Sequence, residues 1–107
     1  MNHTEIAWDC GSGNGQAAVN LAEIFNKVFA TDASAKQIEH AIIHKNVSYS
    51  VQPSENTNFH DSSFDCVTVA QAIHWFDLKK FYNEVNRVLK PGGLLCVWGY
   101  TWFKISD

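Results

Sequence analysis

Seven residues near the start of the chain, Asp9-Cys10-Gly11-Ser12-Gly13-Asn14-Gly15, constrain its fold more than any other stretch. The apolar run Ile6-Ala7-Trp8 leads into them, and a helix-compatible stretch from Gln16 to Phe25 follows. Strand, glycine-rich turn and helix in that order build a pocket for a nucleotide-like ligand. Glycine lets the backbone take positive φ and approach a ligand closely, and a new helix turns its free N–H groups toward that space.

Downstream, strand-like and helical segments alternate. Ile6–Cys10 reads as a strand covered on both faces, and Lys27–Thr31 as a second strand ending at Asp32. Val47–Val51 alternates as an edge strand, Phe64–Val69 follows as a fourth, and Leu94–Tyr100 as a fifth. Between them, Gln16–Phe25 places Ala18, Leu21, Ala22 and Phe25 on one helical face. Ala35–Ile43 does so through Ile38, Ala41 and Ile42, with Ser34 as N-cap. Leu78–Leu89 turns Phe81, Val85, Val88 and Leu89 inward and is stopped by Pro91-Gly92-Gly93. Residues 53–63 read as a polar loop whose only large apolar side chain is Phe59. The pattern predicts one α/β domain over residues 1–107: a Rossmann-like parallel sheet of about five strands, order 3-2-1-4-5, with helices on both faces. Ligands of such sheets bind at the carboxyl ends of the strands, beside the first strand.

Composition narrows the function classes. Apolar residues make up 46% of the 107, which excludes a disordered chain. The net charge is −3 and no basic stripe exists, which disfavours a nucleic-acid partner; Lys79, Lys80, Arg87 and Lys90 read as the solvated face of one helix. Cys10, Cys66 and Cys96 fall in or beside strands, so they read as reduced, buried thiols, and neither they nor the five histidines are spaced as metal ligands. No apolar run reaches the about 18 residues of a membrane span, and without a signal peptide the chain is expected to be cytoplasmic.

The positions that carry chemistry fall at strand carboxyl ends. The turn has Gly-x-Gly-x-Gly spacing, with Gln16 where a dinucleotide fingerprint wants its last glycine and no Walker lysine after it. Asp32 lies 17 residues after Gly15, where a carboxylate can accept hydrogen bonds from both hydroxyls of a ribose or can serve the next helix as a cap partner. Ser54-Glu55-Asn56 follows the third strand and could read an adenine edge. After the fourth strand comes Ala70-Gln71-Ala72-Ile73-His74-Trp75-Phe76-Asp77, in which Gln71 faces the pocket and His74 is the acid/base candidate.

With these residues in place the chain resembles class I S-adenosylmethionine-dependent methyltransferases of the type 11 group. Three motifs carry the resemblance: Trp8 to Gly15, Asp32, and Arg87-Val88-Leu89-Lys90-Pro91-Gly92-Gly93. Ser62-Ser63-Phe64-Asp65 and the run from Ala70 to Asp77 place it nearest the trans-aconitate methyltransferase-like branch. The resemblance implies S-adenosyl-L-methionine as cofactor and a small-molecule methyl acceptor. It puts Asp9, Gly11 and Gly13 along the methionine moiety, with Asp9 near the ammonium group. Asp32 would hold the ribose, Ala33 would lie against the adenine and Glu55 would approach its edge. Ala70 and Gln71 would close the pocket near the sulfonium, and His74 would serve as base if the acceptor must lose a proton.

Against that family pattern the chain lacks the N-terminal lid helices and the last two strands. Leu94–Tyr100 is apolar on both faces, and an uncovered apolar edge invites association. Three explanations stand: a fragment of a longer protein, a homodimer through the exposed last strand, or C-terminal aromatics folded back as cover. The homodimer is the working expectation. On this reading cofactor binding outlasts catalysis, and a non-catalytic binding or dimerisation module is the alternative. A nicotinamide oxidoreductase is disfavoured by the glycine spacing and by the lack of a Tyr-x-x-x-Lys pair.

Overall fold

The computed structural model of the chain describes residues 5–69, 77–97 and 102–104. The strands are β1 (Ile6–Cys10), β2 (Lys27–Asp32), β3 (Val47–Val51), β4 (Phe64–Val69), β5 (Leu89–Val97) and β6 (Trp102–Lys104). The helices are α1 (Gln16–Leu21), α2 (Ala35–Glu39) and α3 (Leu78–Val88). The sheet order is β3-β2-β1-β4-β5-β6, and the first five strands are parallel. The expected order 3-2-1-4-5 is what these strands adopt. Their carboxyl ends therefore share one edge of the sheet, with β1 at the switch point between β2 and β4.

Apolar residues on both sides of β1 decide the layering. On one face Trp8 and Cys10 join Phe64, Val67, Val69, Phe81, Val85, Val88, Leu95 and Val97 in a core that α3 closes. On the other, Ala7 joins Ala18, Leu21, Phe25, Val28, Ala30, Val47 and Cys66 beneath α1. Phe59 does not sit idle in the loop before β4. Its ring stacks edge-on against Trp8, Phe29 and Phe64, at 5.5, 5.8 and 4.9 Å between centroids. The three cysteines are free and buried.

Both early helices are shorter than their periodicity predicts, for different reasons. Past Leu21 the chain keeps a helical path but tightens, with Ile24 N–H donating to Leu21 C=O three residues back. Phe25 still reaches the core at 3% exposure, so the predicted stripe holds although the regular helix does not. Helix α2 is capped by Ser34, whose Oγ accepts from Gln37 N–H. It ends early because Ile42 N–H donates instead to Asn14 C=O, 2.9 Å away in the glycine turn. The expected apolar face is lost with it: no residue of α2 is buried, and Ile42 is 39% exposed.

Strand β5 begins where α3 ends, at Leu89 rather than Leu94. Leu89 pairs with Phe64 and Leu94 with Cys66, so Lys90-Pro91-Gly92-Gly93 bulges out of the ladder, with Gly92 at φ 81. The expectation of an uncovered edge on the last strand is corrected. Residues 102–104 return antiparallel to β5, pairing Leu94 with Lys104, Leu95 with Phe103 and Cys96 with Trp102. The homodimer thus loses its premise, since that stretch of β5 is satisfied within the chain. Residues 98–100, the end of the expected fifth strand, lie outside the described residues.

Neighbouring aromatics on α3 test the layering. Phe81 is fully buried and Tyr82 is 41% exposed. Phe81→Ala should cost about 3–5 kcal/mol of unfolding free energy, and Tyr82→Ala about 0.5 kcal/mol, both read from urea denaturation midpoints.

Candidate functional site

The glycine turn is held from three sides by hydrogen bonds within the protein. Ser12 N–H donates to Thr31 C=O at 2.8 Å and Gly15 N–H to Ser12 C=O at 3.0 Å. Gly13 N–H donates to Asp32 Oδ2 at 2.9 Å, and Gln16 N–H to Asn14 Oδ1 at 3.1 Å. The expectation of free N–H groups aimed into the pocket is therefore corrected for these four residues. Gly15 caps α1 at φ 89, a conformation that L side chains rarely adopt. The Tyr49 ring also occupies the place of any β-carbon at Gly15, and the Tyr49 hydroxyl donates to Ile42 C=O. Glycine is thus required here by backbone angle and by space.

Asp32 joins two turns. Its Oδ2 holds Gly13, and its Oδ1 accepts Ser34 N–H at 2.9 Å, ahead of α2. The cap-partner reading and the pocket reading are thus compatible, because a carboxylate offers about four acceptor positions and two are used here. Ala33, next in the chain, is exposed.

Asp9 lies on β1 directly opposite Thr68 on β4, and it is 2% exposed. Its Oδ1 accepts from Thr68 Oγ1 at 2.7 Å, whereas Oδ2 is buried with no hydrogen-bond partner, as is Ser12 Oγ. Burial pushes the Asp9 carboxyl up to about 6, the Thr68 hydrogen bond opposes the rise, and the charge of Asp32 adds to it. Burial likewise drives the Cys10 thiol far above its ordinary range. Its hydrogen bond to Ser54 Oγ at 2.8 Å works against that, and the charges of Asp9, Glu55 and Asp32 reinforce it. The thiol is therefore no nucleophile. Three carboxylates, Asp9, Asp32 and Glu55, surround the carboxyl end of β1. Glu55 is half-buried, and its Oε2 accepts Asp77 N–H at 3.3 Å.

The structure thus brings together Asp9, Gly11, Gly13, Asp32 and Glu55, with Ala33 at the rim. Ala70, Gln71 and His74 lie outside the described residues. Sequence reasoning missed Thr68, Ser54 as the partner of Cys10, and Tyr49. The signal for Thr68 is a hydroxyl in an otherwise apolar strand interior, which needs a buried acceptor.

The orphaned carboxylate has a stability consequence. The folded protein keeps a proton on Asp9 that the unfolded chain releases between about pH 4 and the raised value near 6. Stability is therefore highest below that window and falls as the pH rises through it. The loss comes to about 3 kcal/mol, because each tenfold difference in proton affinity between the folded and unfolded chain is worth about 1.4 kcal/mol. Asp9→Asn should remove this part of the pH profile. The variant should gain on the wild type from pH 4 to 7 in ligand-free urea titrations, and parallel profiles would refute the assignment.

Comparison with known proteins gives the family. The methyltransferase domain family of type 11 matches residues 8–97. A Dictyostelium discoideum protein named as a methyltransferase is 43% identical over 103 residues, which cover 96% of this chain and 39% of that protein. A Saccharomyces cerevisiae protein named as an S-adenosylmethionine-dependent methyltransferase is 27% identical over 86% of this chain and 34% of its own length. The solved structure of a type II methyltransferase from Anaeromyxobacter dehalogenans superposes with a TM-score of 0.83 at 43% identity, covering 89% of this chain and 41% of that one. The chain spans about 40% of the length of the two relatives most identical to it here. On the match from Trp8 to Val97 and these identities, the chain belongs to the type 11 methyltransferase domain family.

Proposed function

We propose that this chain binds S-adenosylmethionine at the carboxyl ends of β1, β2 and β3 and serves methyl transfer to a small-molecule acceptor. The observation that carries the reading is Asp9: a buried carboxylate with one unpartnered oxygen, beside a glycine turn. Keeping such a charge out of water is costly unless a ligand completes it. The ammonium group of a methionine moiety is a donor of the right charge. Asp9, Gly11 and Gly13 line that moiety, and the unused acceptor positions of Asp32 take the two ribose hydroxyls. Ala33 lies against the adenine and Glu55 approaches its edge. S-adenosylmethionine is the cofactor of the family and, when bound, supplies a methyl group already activated by a sulfonium.

Charge favours this ligand over a dinucleotide. Asp9, Asp32 and Glu55 converge on one site, where a sulfonium and an ammonium are attracted and a diphosphate is repelled. The N–H groups of Ser12, Gly13, Gly15 and Gln16 are already committed and do not offer a phosphate cradle. Holding the acceptor in line with the methyl group supplies most of the rate in such a transfer. In this scheme Ala70 and Gln71 close the sulfonium end, and His74 takes a proton where the acceptor must lose one. A trans-aconitate-like acceptor would follow from the run Ala70 to Asp77. Among the described residues no helix is long and apolar enough to cross a membrane.

Calorimetric titration of the chain with S-adenosylmethionine, S-adenosylhomocysteine and NAD tests the proposal. The first two should bind and NAD should not; binding of NAD alone would sink the reading. Asp32→Ala removes the acceptor for the ribose hydroxyls and the brace on Gly13, so affinity should fall at least about tenfold. Affinity for S-adenosylhomocysteine should also fall as the pH drops below about 6, approaching tenfold per pH unit, as Asp9 takes up its proton.

A further inference from the structure

Glu84 occupies a core position of α3. The buried stripe runs Phe81, Glu84, Val85 and Val88, and Glu84 itself is 7% exposed. A carboxylate there must be fully partnered, and its partners come from Thr57 in the loop of residues 52–63 and from Arg87 on α3 itself. Thr57 donates to Glu84 Oε2 twice, through its backbone N–H at 2.7 Å and its hydroxyl at 2.6 Å. Arg87 donates Nη2 to the same oxygen at 2.6 Å and Nε to Oε1 at 3.0 Å. The other side of the Arg87 guanidinium reaches the loop through Nη1, to Phe59 C=O and Asp61 Oδ1, both at 2.8 Å. Arg87 is thus no member of a solvated lysine face, as its sequence neighbours suggested. Burial pushes the Glu84 carboxyl up, but the hydrogen bonds from Arg87 and Thr57 outweigh it and hold it below the usual range.

The same loop forms one wall of the candidate site. Three residues before Thr57, Ser54 accepts the Cys10 thiol hydrogen, one residue from Gly11. Glu55 stands between the two anchors. The loop has no helix or strand of its own, so its path is set by what it is fastened to. Glu84 and Arg87 fasten one part to α3, and Cys10 fastens the other to β1.

We infer that Glu84, acting through Thr57, is a positioning residue that sets the Ser54-Glu55-Asn56 wall against the adenine of the cofactor. The inference rests on the cofactor reading above. It assigns Glu84 no contact with the ligand. Its carboxylate gathers three donors on one oxygen and a fourth, Arg87 Nε, on the other; a glutamine cannot keep that set, because its amide would turn a donor toward Arg87 and pull the oxygen away from Thr57.

Calorimetry with two ligands tests it: S-adenosylhomocysteine, and S-ribosylhomocysteine, which lacks the adenine. Thr57→Val and Glu84→Gln should each weaken S-adenosylhomocysteine about tenfold while changing S-ribosylhomocysteine less than twofold. Thr57→Ser, which keeps both donors, should restore wild-type affinity for both. Equal losses for the two ligands, or no loss for either, would overturn the positioning role while the cofactor reading stands. A wild-type chain that binds neither ligand would overturn both. Should Glu84→Gln fail to fold, the Thr57 pair carries the comparison alone, because it leaves the Glu84–Arg87 pairing in place.

Discussion

Asp32 accepts Gly13 N–H through one oxygen and Ser34 N–H through the other, so the glycine turn after β1 and the turn into α2 are tied together by one side chain. Around that carboxylate the remaining contacts fall into place. Thr31, one residue earlier, holds Ser12 with its carbonyl and the buried Trp8 indole with its hydroxyl. Asn14 draws Ile42 out of α2, and Ile42 in turn receives the hydroxyl of Tyr49, whose ring fills the space beside Gly15. The glycines supply permissive backbone, but it is these braces that give the turn one shape.

In the proposed function, stability and ligand binding pull against each other at Asp9. A core strand with an apolar residue at that position would fold with less penalty, yet it would leave the site without a buried negative charge. The cost is about 3 kcal/mol near neutral pH, a substantial part of the roughly 5–15 kcal/mol that holds an ordinary domain together. Glu84 resolves the same problem the opposite way. It is nearly as buried as Asp9, but Thr57 and Arg87 complete it within the protein, so its charge serves the architecture. One carboxylate is left open and one is closed.

The sheet was legible in the sequence because its central strands are apolar on both faces and the segments between them are helical in period. The glycine turn after β1, the end of β2 at Asp32 and the cap at Ser34 could be read residue by residue, since each is announced by the residues beside it; the brace from Asp32 back to Gly13, 19 residues away, could not. What could not be read depends on distant partners. The helical period of Ala35–Ile43 continues past Glu39, but a carbonyl at Asn14 competes for the Ile42 N–H and wins. Arg87 looked like one more solvated cation, because nothing local announces that Asp61 and Phe59 lie across from it. Strand β6 was legible only as one of three explanations, C-terminal aromatics folded back as cover, because three residues carry too little pattern to declare a strand. The buried glutamate was legible in principle: a charge at the second position of an otherwise apolar helical stripe needs an explanation.

The order of the strands has a consequence for how the molecule assembles. Strand β1 comes first among the six strands of the described residues and ends in the middle of the sheet, between β2 and β4. Its partner on one side, β2, arrives within a short span, but the Asp9–Thr68 contact on the other side bridges 59 residues. Such distant pairing forms late, because a long loop must close before it is rewarded. Until β4 docks, the flank of β1 that will pair with it faces solvent as an open parallel edge, and Asp9 lacks Thr68. The period of greatest vulnerability to misassociation therefore belongs to the nascent sheet's centre, not to either of its finished margins.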